Sequence, residues 1–233
     1  MMRKLVVLTG AGMSAESGIK TFRDSDGLWR THRFEDLATP EAWERNPALV
    51  QEFYNERRKQ LFEVEPNAGH KALVELEKVF DVQIITQNVD DLHERAGSAN
   101  VLHLHGELKK ARSTVDPSLI YELKHWELKM GEHCEKGSQL RPHIVWFGES
   151  VPAMSEATQL TRQAELFLIV GTSLQVYPAA SLLHYVPSHS PVYLVDPKAE
   201  APAWAQSVKT IRKTAATGLP ELVNELIRNE TVK

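Results

Sequence analysis

The chain has 233 residues, 42% hydrophobic and 25% charged, which predicts one large soluble domain or one domain carrying a small insert. A net charge of −4, from 27 basic and 31 acidic residues with no long like-charge run, excludes nucleic acid and membrane lipid as primary partners. The single cysteine, Cys134, excludes an internal disulfide and predicts a reducing compartment. No apolar stretch approaches the roughly 18 residues of a membrane span. The N-terminus runs straight into an apolar segment, so no signal peptide is expected and a cytoplasmic location is the default.

Six short runs rich in Val, Ile and Leu punctuate the chain, at residues 5–9, 82–86, 101–105, 143–147, 166–170 and 192–195. Most are nearly continuous rather than alternating, the pattern of strands buried on both faces of a parallel sheet. Helical patterns fall between them at 67–79, 90–96, 155–164 and 179–185, and a last helix is predicted over 219–228. This alternation predicts an α/β fold, a doubly wound, mostly parallel Rossmann-like sheet of about six strands. Residues 19–66 read as helical without a convincing strand, with a helix over 41–63 interrupted at Pro47. Residues 109–141 are polar and contain Pro117, Gly131 and Gly137. These two excursions, about 20–66 and 109–141, are expected to build a smaller, mostly helical module over the edge of the large part, about 1–19, 67–108 and 142–233. No internal repeat or low-complexity segment is present.

The first run empties into Gly10-Ala11-Gly12-Met13-Ser14. Glycines there let the backbone approach a pyrophosphate, and N–H groups at the following helix start attract its charge. A tight strand–helix turn explains the same residues with no ligand. Further polar or glycine loops follow the later runs, at Gln87–Asp90, His105-Gly106, Gly148-Glu149, Gly171–Ser173 and Asp196-Pro197. In open α/β sheets that edge binds ligands. The acidic residue expected about 20 residues after the glycines, at the end of a second strand, is missing, which argues against an ordinary dehydrogenase. Asn88 and Asp90 carry the donors and acceptors that read a carboxamide, and would equally cap a helix. His105 is placed at the ligand edge, with an ordinary pKa of about 6.5 suited to proton transfer near neutrality. His103, two residues earlier on the same strand face, reads as structural.

Taken together, Gly10–Ile19 with Thr21-Phe22-Arg23, then Thr86–Asp90, Leu104–Leu108, Arg141–Glu149 and Gly171–Ala180 resemble the sirtuin family of NAD-dependent protein-lysine deacylases. The resemblance covers almost the whole chain. It implies NAD as a consumed co-substrate, held by Gly10, Ala11, Gly12, Ser14, Phe22, Arg23, Gln87, Asn88, Val89, Asp90, Gly171, Thr172, Ser173, Asp196, Pro197 and Ala215. Phe22 and Arg23 would lie on the loop that orders over the cofactor. His105 would be the base that acts on the ribose after an acyl-lysine oxygen has displaced nicotinamide, so that free lysine and O-acyl-ADP-ribose result. Phe147, Gly148 and Glu149, with residues 171–176, would pair with the substrate backbone. Val145 would wall the acyl-lysine tunnel or simply pack in the core.

Leu49, Phe53, Arg57 and Leu61 recur every four residues and share a helix face, so Arg57 stands in an apolar stripe where an uncompensated charge is costly. Tyr54 adjoins it at i−3. The pair forms a receptor for a carboxylate, or else Arg57 snorkels to solvent or pairs with Glu52 or Glu56. The resemblance favours the receptor, because sirtuins that remove succinyl, malonyl and glutaryl groups carry Tyr-x-x-Arg here, and Ala38 matches the small residue that widens their pocket. Desuccinylase activity with deacetylation retained is expected. Protein ADP-ribosylation, removal of another acyl chain such as lipoyl, and a non-catalytic NAD-sensing module are the alternatives. The chain departs from the family in three places. Residues 109–141 hold only Cys134 where two cysteine pairs usually bind zinc, so no zinc is expected, and Leu119, Ile120, Leu123, Trp126 and Leu128 at helical spacing are expected to hold the segment. Asp196 replaces an asparagine, and Lys213-Thr214-Ala215 replaces a Gly-x-Ala. Acylated-lysine proteins are the expected partners of a monomeric enzyme.

Overall fold

The structure, a computed structural model, describes residues 2–19, 34–200 and 208–231. Six strands form one parallel sheet in the order β3-β2-β1-β7-β8-β9: β1 (Arg3–Thr9), β2 (Phe80–Thr86), β3 (Val101–His103), β7 (Leu166–Val170), β8 (Val192–Val195) and β9 (Val208–Ile211). The middle strands are buried from end to end because both faces are covered. On one face Leu5, Val7, Ile84, Leu168 and Val195 meet α4 (Ala68–Leu76) and α7 (Ala215–Thr231). On the other, Val6, Leu8, Ile85, Phe167 and Leu194 meet α6 (Met154–Arg162) and a 3₁₀ helix, Ala179–Tyr185. Consecutive residues of a strand serve opposite cores, as the pleat requires.

The chain fills the sheet outward from β1 first through β2 and β3, then through β7, β8 and β9. The order therefore reverses between β1 and β7, and the crevice at the ends of those two strands is the ligand position of such sheets. The residues after β1 and β7 crowd each other there. Gly10 N–H donates to Val170 O (3.0 Å), and Gly12 N–H to Gly171 O (2.8 Å). A Cβ on Gly12 would stand 2.7 Å from Gly171 Cα, and one on Gly10 would stand 2.7 Å from Thr172 Cβ. These glycines are required by the packing of two loops, whatever ligand the loops hold.

Helices α1 (Phe34–Leu37), α2 (Pro40–Arg45) and α3 (Pro47–Glu63) form the first excursion. The break before Pro47 lies where sequence reading puts it: Asn46 caps α3 through its side chain, accepting from Leu49 N–H, and Pro47 takes the first turn, where no donor is needed.

The second excursion corrects the expectation of a mostly helical module. Residues 106–144 hold an antiparallel sheet in the order β5-β4-β6: β4 (Gly106–Ser113), β5 (Ile120–Glu122) and β6 (Leu140–Ile144). The apolar run at 143–147 enters this sheet through β6 and does not join the large one. The sixth strand of the large sheet is β9, an edge strand whose Val-Lys-Thr-Ile has a half-exposed, mixed pattern. Ile120 and Trp126, expected to anchor the segment, are exposed, whereas Ala111, Leu128, Cys134 and Leu140 form its small core. Its junction with α3 is polar. Arg58, fully buried, donates to Leu108 O, to Trp126 O (2.7 Å) and to Asn55 Oδ1 (2.8 Å), and Asn55 pairs with both backbone groups of Leu128.

Two neutral histidines lie under the site. His70, of α4, completes a capping box with Asn67, and its ring meets that of His93 on α5 (Leu92–Ala96) at 4.9 Å. Burial pushes His70 down to about 4 and His93 well below its ordinary value. The unfolded chain takes up these protons below about 6.5 and the folded chain does not until far lower, so stability is lost as pH falls from about 6.5 toward 4. Thermal melts at pH 7, 6 and 5 are expected to show a progressive fall in Tm that His70→Gln makes shallower.

Candidate active site

A cavity of about 940 Å³ opens at the reversal of strand order, between the large sheet and the smaller module. It brings together Gly10, Ala11, Gly12, Ser14, Gln87, Asn88, Val89, Asp90, His105, Gly171, Thr172, Ser173, Asp196 and Pro197, and on its other wall Ala38, Tyr54, Arg57, Val145, Phe147, Gly148 and Glu149. Phe22 and Arg23 lie outside the described residues. Ala215 is not brought to the cavity. It is buried at the start of α7, whose next residue, Ala216, donates its N–H to Glu16 Oε2.

The loop after β2 is pinned from several sides. Gln87 N–H donates to Thr9 O (2.9 Å), and its side-chain amide donates to Thr172 Oγ1 (3.1 Å). Asn88 N–H donates to Thr86 Oγ1 (3.0 Å), which also accepts from Thr9 Oγ1 (2.8 Å). Asn88 Nδ2 donates to Ser14 Oγ (3.1 Å), joining this loop to the glycine loop. Asp90 is buried, and its Oδ1 accepts from Leu92 N–H in an Asx turn, while the N-cap position of α5 falls to Asp91, whose side chain makes no capping bond. Burial pushes the Asp90 carboxyl up, against the pull of Ser14 and the Leu92 amide.

His105 Nδ1 lies 3.0 Å from Gln87 O. A carbonyl only accepts, so Nδ1 carries the hydrogen and Nε2 keeps its lone pair as a base. Burial lowers this imidazole's pKa, partly offset by the Gln87 carbonyl, so the ring stays neutral and basic at neutral pH.

The wall contributed by α3 carries Tyr54 and Arg57, one helical turn apart. Burial raises the Tyr54 phenol to about 12, keeping it protonated. Burial lowers Arg57, while Tyr54 and Asp90 oppose that shift. Its guanidinium lies over the Phe53 ring at 5.7 Å. Ala38 O accepts from Phe147 N–H (3.0 Å) and ties the first excursion to the loop that follows β6.

Sequence reading missed the support behind this wall. Trp146 Nε1–H donates to Tyr54 Oη (3.0 Å), and the Arg141 guanidinium lies 3.3 Å from the centre of the Trp146 ring. Glu149 binds Arg112 (3.1 Å) and Arg141 (2.8 Å) and accepts from Trp146 N–H (2.8 Å). The Glu149 carboxylate is thus an internal clasp, not a group turned toward a substrate, and the two arginines hold it below the usual carboxylate range. The only sequence signal for the clasp was an arginine eight residues from a glutamate across β6.

Around Cys134 the neighbours are hydroxyls: Sγ lies 3.3 Å from Ser113 Oγ and 3.1 Å from Ser138 Oγ. These bonds lower the thiol to about 7. Among the described residues no three His, Cys, Asp or Glu side chains are grouped to hold a metal, and one thiol with two serines does not fit a tetrahedral zinc.

A doubly wound sheet with a glycine loop, a neutral histidine base and an amide–carboxylate loop at its switch point defines a nucleotide-binding catalytic domain. A sequence model of the Sir2 family matches residues 10–178, and the chain belongs to that family. It is 57% identical over 231 residues to an NAD-dependent protein deacylase of Bacteroides thetaiotaomicron, covering 97% of this chain and 99% of that one. It is 55% identical over 228 residues to one of Helicobacter pylori, covering 97% and 98%. Among solved structures, a Sir2 homologue in complex with NAD is 39% identical with a TM-score of 0.88, covering 98% of this chain and 91% of that one. A Sir2 protein with a deacetylated p53 peptide and 3′-O-acetyl ADP-ribose is 29% identical with a TM-score of 0.76, covering 98% and 94%.

Proposed function

We propose that this NAD-dependent protein deacylase removes succinyl and malonyl groups, as well as acetyl groups, from protein lysines, releasing nicotinamide, O-acyl-ADP-ribose and free lysine. One observation carries the choice of acyl group: Tyr54 and Arg57 line the same cavity as His105, and the Tyr54 oxygen already accepts from Trp146 Nε1–H. That bond uses an oxygen lone pair and leaves the phenolic hydrogen to donate. A hydroxyl donor beside a guanidinium complements an acyl chain ending in a carboxylate.

NAD, as the co-substrate, supplies the electrophilic ribose carbon from which nicotinamide departs. The protein's own residues do the rest. The Gly10–Ser14 backbone faces the diphosphate, and Asn88 and Asp90 read the carboxamide. His105 Nε2 takes a proton from a ribose hydroxyl, while Gln87 O holds the ring in that tautomer. The edge formed by residues 147–149 and 171–176 receives the peptide backbone, with Val145 beside the lysine stem. Asp196, with a carboxylate in place of an amide, accepts from an adenosine ribose hydroxyl, which favours NAD over a 2′-phosphorylated cofactor. The single cysteine supports a cytoplasmic setting. Among the described residues no helix is long and apolar enough to cross a membrane.

The test is a product analysis. Protein, NAD and matched succinyl- and acetyl-lysine peptides are incubated, and released nicotinamide and O-acyl-ADP-ribose are identified by mass spectrometry. O-succinyl-ADP-ribose is expected together with O-acetyl-ADP-ribose. ADP-ribosylated peptide, or acetyl product alone, would count against the proposal.

A further inference from the structure

The strand that leads to the candidate base carries a second imidazole with a different task. His103, the last residue of β3, places Nδ1 2.9 Å from Asn88 O and Nε2 2.8 Å from Glu94 Oε1 on α5. Its side chain is only 8% exposed. Both partners accept hydrogen bonds and neither donates. A neutral imidazole has one N–H and would turn a lone pair toward one of the two oxygens, whereas the imidazolium donates to both. The surroundings of the two histidines of Leu102-His103-Leu104-His105 therefore differ: the two acceptors at His103 suit an imidazolium, and the single acceptor at His105 suits a neutral base.

The tether acts on the loop that faces the cofactor. Asn88 is held at three points: its N–H on Thr86, its side chain on Ser14 and its carbonyl on His103. Of these three partners only the carbonyl's is a titratable side chain. The charged and titratable groups facing His103 are Glu94 and His93 on α5, Glu107 on β4 and Asp90 in the loop itself, with Lys110 of β4 acting on Glu94. Glu94 and Glu107 raise the imidazole's pKa against the effect of burial. When the proton is lost, the Glu94 carboxylate retains the remaining N–H at Nε2. Nδ1 then presents a lone pair to Asn88 O, and the loop loses that anchor.

We propose that His103 is a positioning residue whose imidazolium pins the Asn88 carbonyl, so that its deprotonation sets the upper pH limit for productive binding of the nicotinamide end of NAD. This rests on reading Asn88 and Asp90 as the residues that meet nicotinamide.

The test uses the full chain with an acetyl-lysine peptide, following the KM for NAD, the Ki for nicotinamide and kcat from pH 6 to 10. In the wild type, KM and Ki are expected to rise at least fivefold across an alkaline limb, with a smaller change in kcat. Glu94→Gln keeps an acceptor but removes its charge, and is expected to move that limb about one unit toward lower pH. His103→Gln is expected to raise Ki about tenfold at pH 7 and to abolish the limb. A purely structural role would lower stability without moving the limb. Nitrogen NMR of the wild-type protein at pH 7 gives a reading independent of any variant: both His103 nitrogens are expected to be protonated. A limb that stays put in Glu94→Gln, no limb in the wild type, or a singly protonated His103 at pH 7 would each overturn the proposal.

Discussion

Arg57→Met is expected to lower kcat/KM on a succinyl-lysine peptide by roughly 10- to 150-fold, with a loss on the matched acetyl-lysine peptide at least tenfold smaller. The size follows from deleting a charge-assisted hydrogen bond, worth about 1.5–3 kcal/mol, at about 1.4 kcal/mol per factor of ten. Methionine keeps an apolar stem of similar length and removes the guanidinium fork, including its contact over the Phe53 ring. Tyr54→Phe deletes the donor but leaves the Trp146 indole N–H without its acceptor, so it is expected to cost some stability in addition to selectivity. The measurement is a paired set of initial rates on the two peptides at saturating NAD. Equal losses on both peptides would mean that Arg57 supports the wall and does not read the acyl group.

His105→Ala carries the second large effect. A positioned general base contributes roughly 10²- to 10⁴-fold, and product formation is expected to fall by that order. In the proposed order of events the base acts after nicotinamide departs. Exchange of labelled nicotinamide into NAD is therefore expected to fall much less than formation of O-acyl-ADP-ribose. Because burial lowers the His105 pKa, the wild-type acid limb is expected below the ordinary imidazole value of about 6.5: the base is lost only as pH drops through that lowered value. Exchange that collapses in parallel with product formation would place His105 in NAD binding instead.

The parts of this molecule that were legible in its sequence are those carried by local pattern. Continuous apolar runs marked β1, β2, β7 and β8 because strands covered on both faces have no polar alternation. The Tyr54–Arg57 pair was legible because residues three apart on a helix are neighbours. His105 was legible from its place after a strand. What failed depends on distant partners. β9 is an edge strand, and Lys209 and Thr210 are both exposed, so nothing in four residues separates it from a loop. The run at 143–147 has the same composition as a core strand, yet its partners are β4 and Gly106, whose positive φ of 80° and close contact with His143 O only a glycine accommodates. The helical spacing of Leu119, Ile120, Leu123, Trp126 and Leu128 does not reflect a helix: Leu128, Leu119 and Leu123 join the small core, while Ile120 and Trp126 are exposed. The segment is also held by the buried fork of Arg58 and by Asn55, long-range bonds that no window of sequence contains. The engagement of the Glu149 carboxylate by Arg112 and Arg141 was not legible, and it bears on the side chain rather than on the backbone role expected of residues 147–149. His103 reads as structural from the sequence, and its two acceptors, Asn88 O and Glu94, come together only in the fold.

The most direct measurement of the central claim compares two acyl groups of matched length on one peptide. Succinyl- and butyryl-lysine share a four-carbon acyl chain and differ in the terminal carboxylate. If Tyr54 and Arg57 form a carboxylate receptor, the wild-type protein will turn over the succinyl peptide with a kcat/KM at least tenfold above that for the butyryl peptide. A butyryl peptide processed as well as or better than the succinyl one would contradict the account.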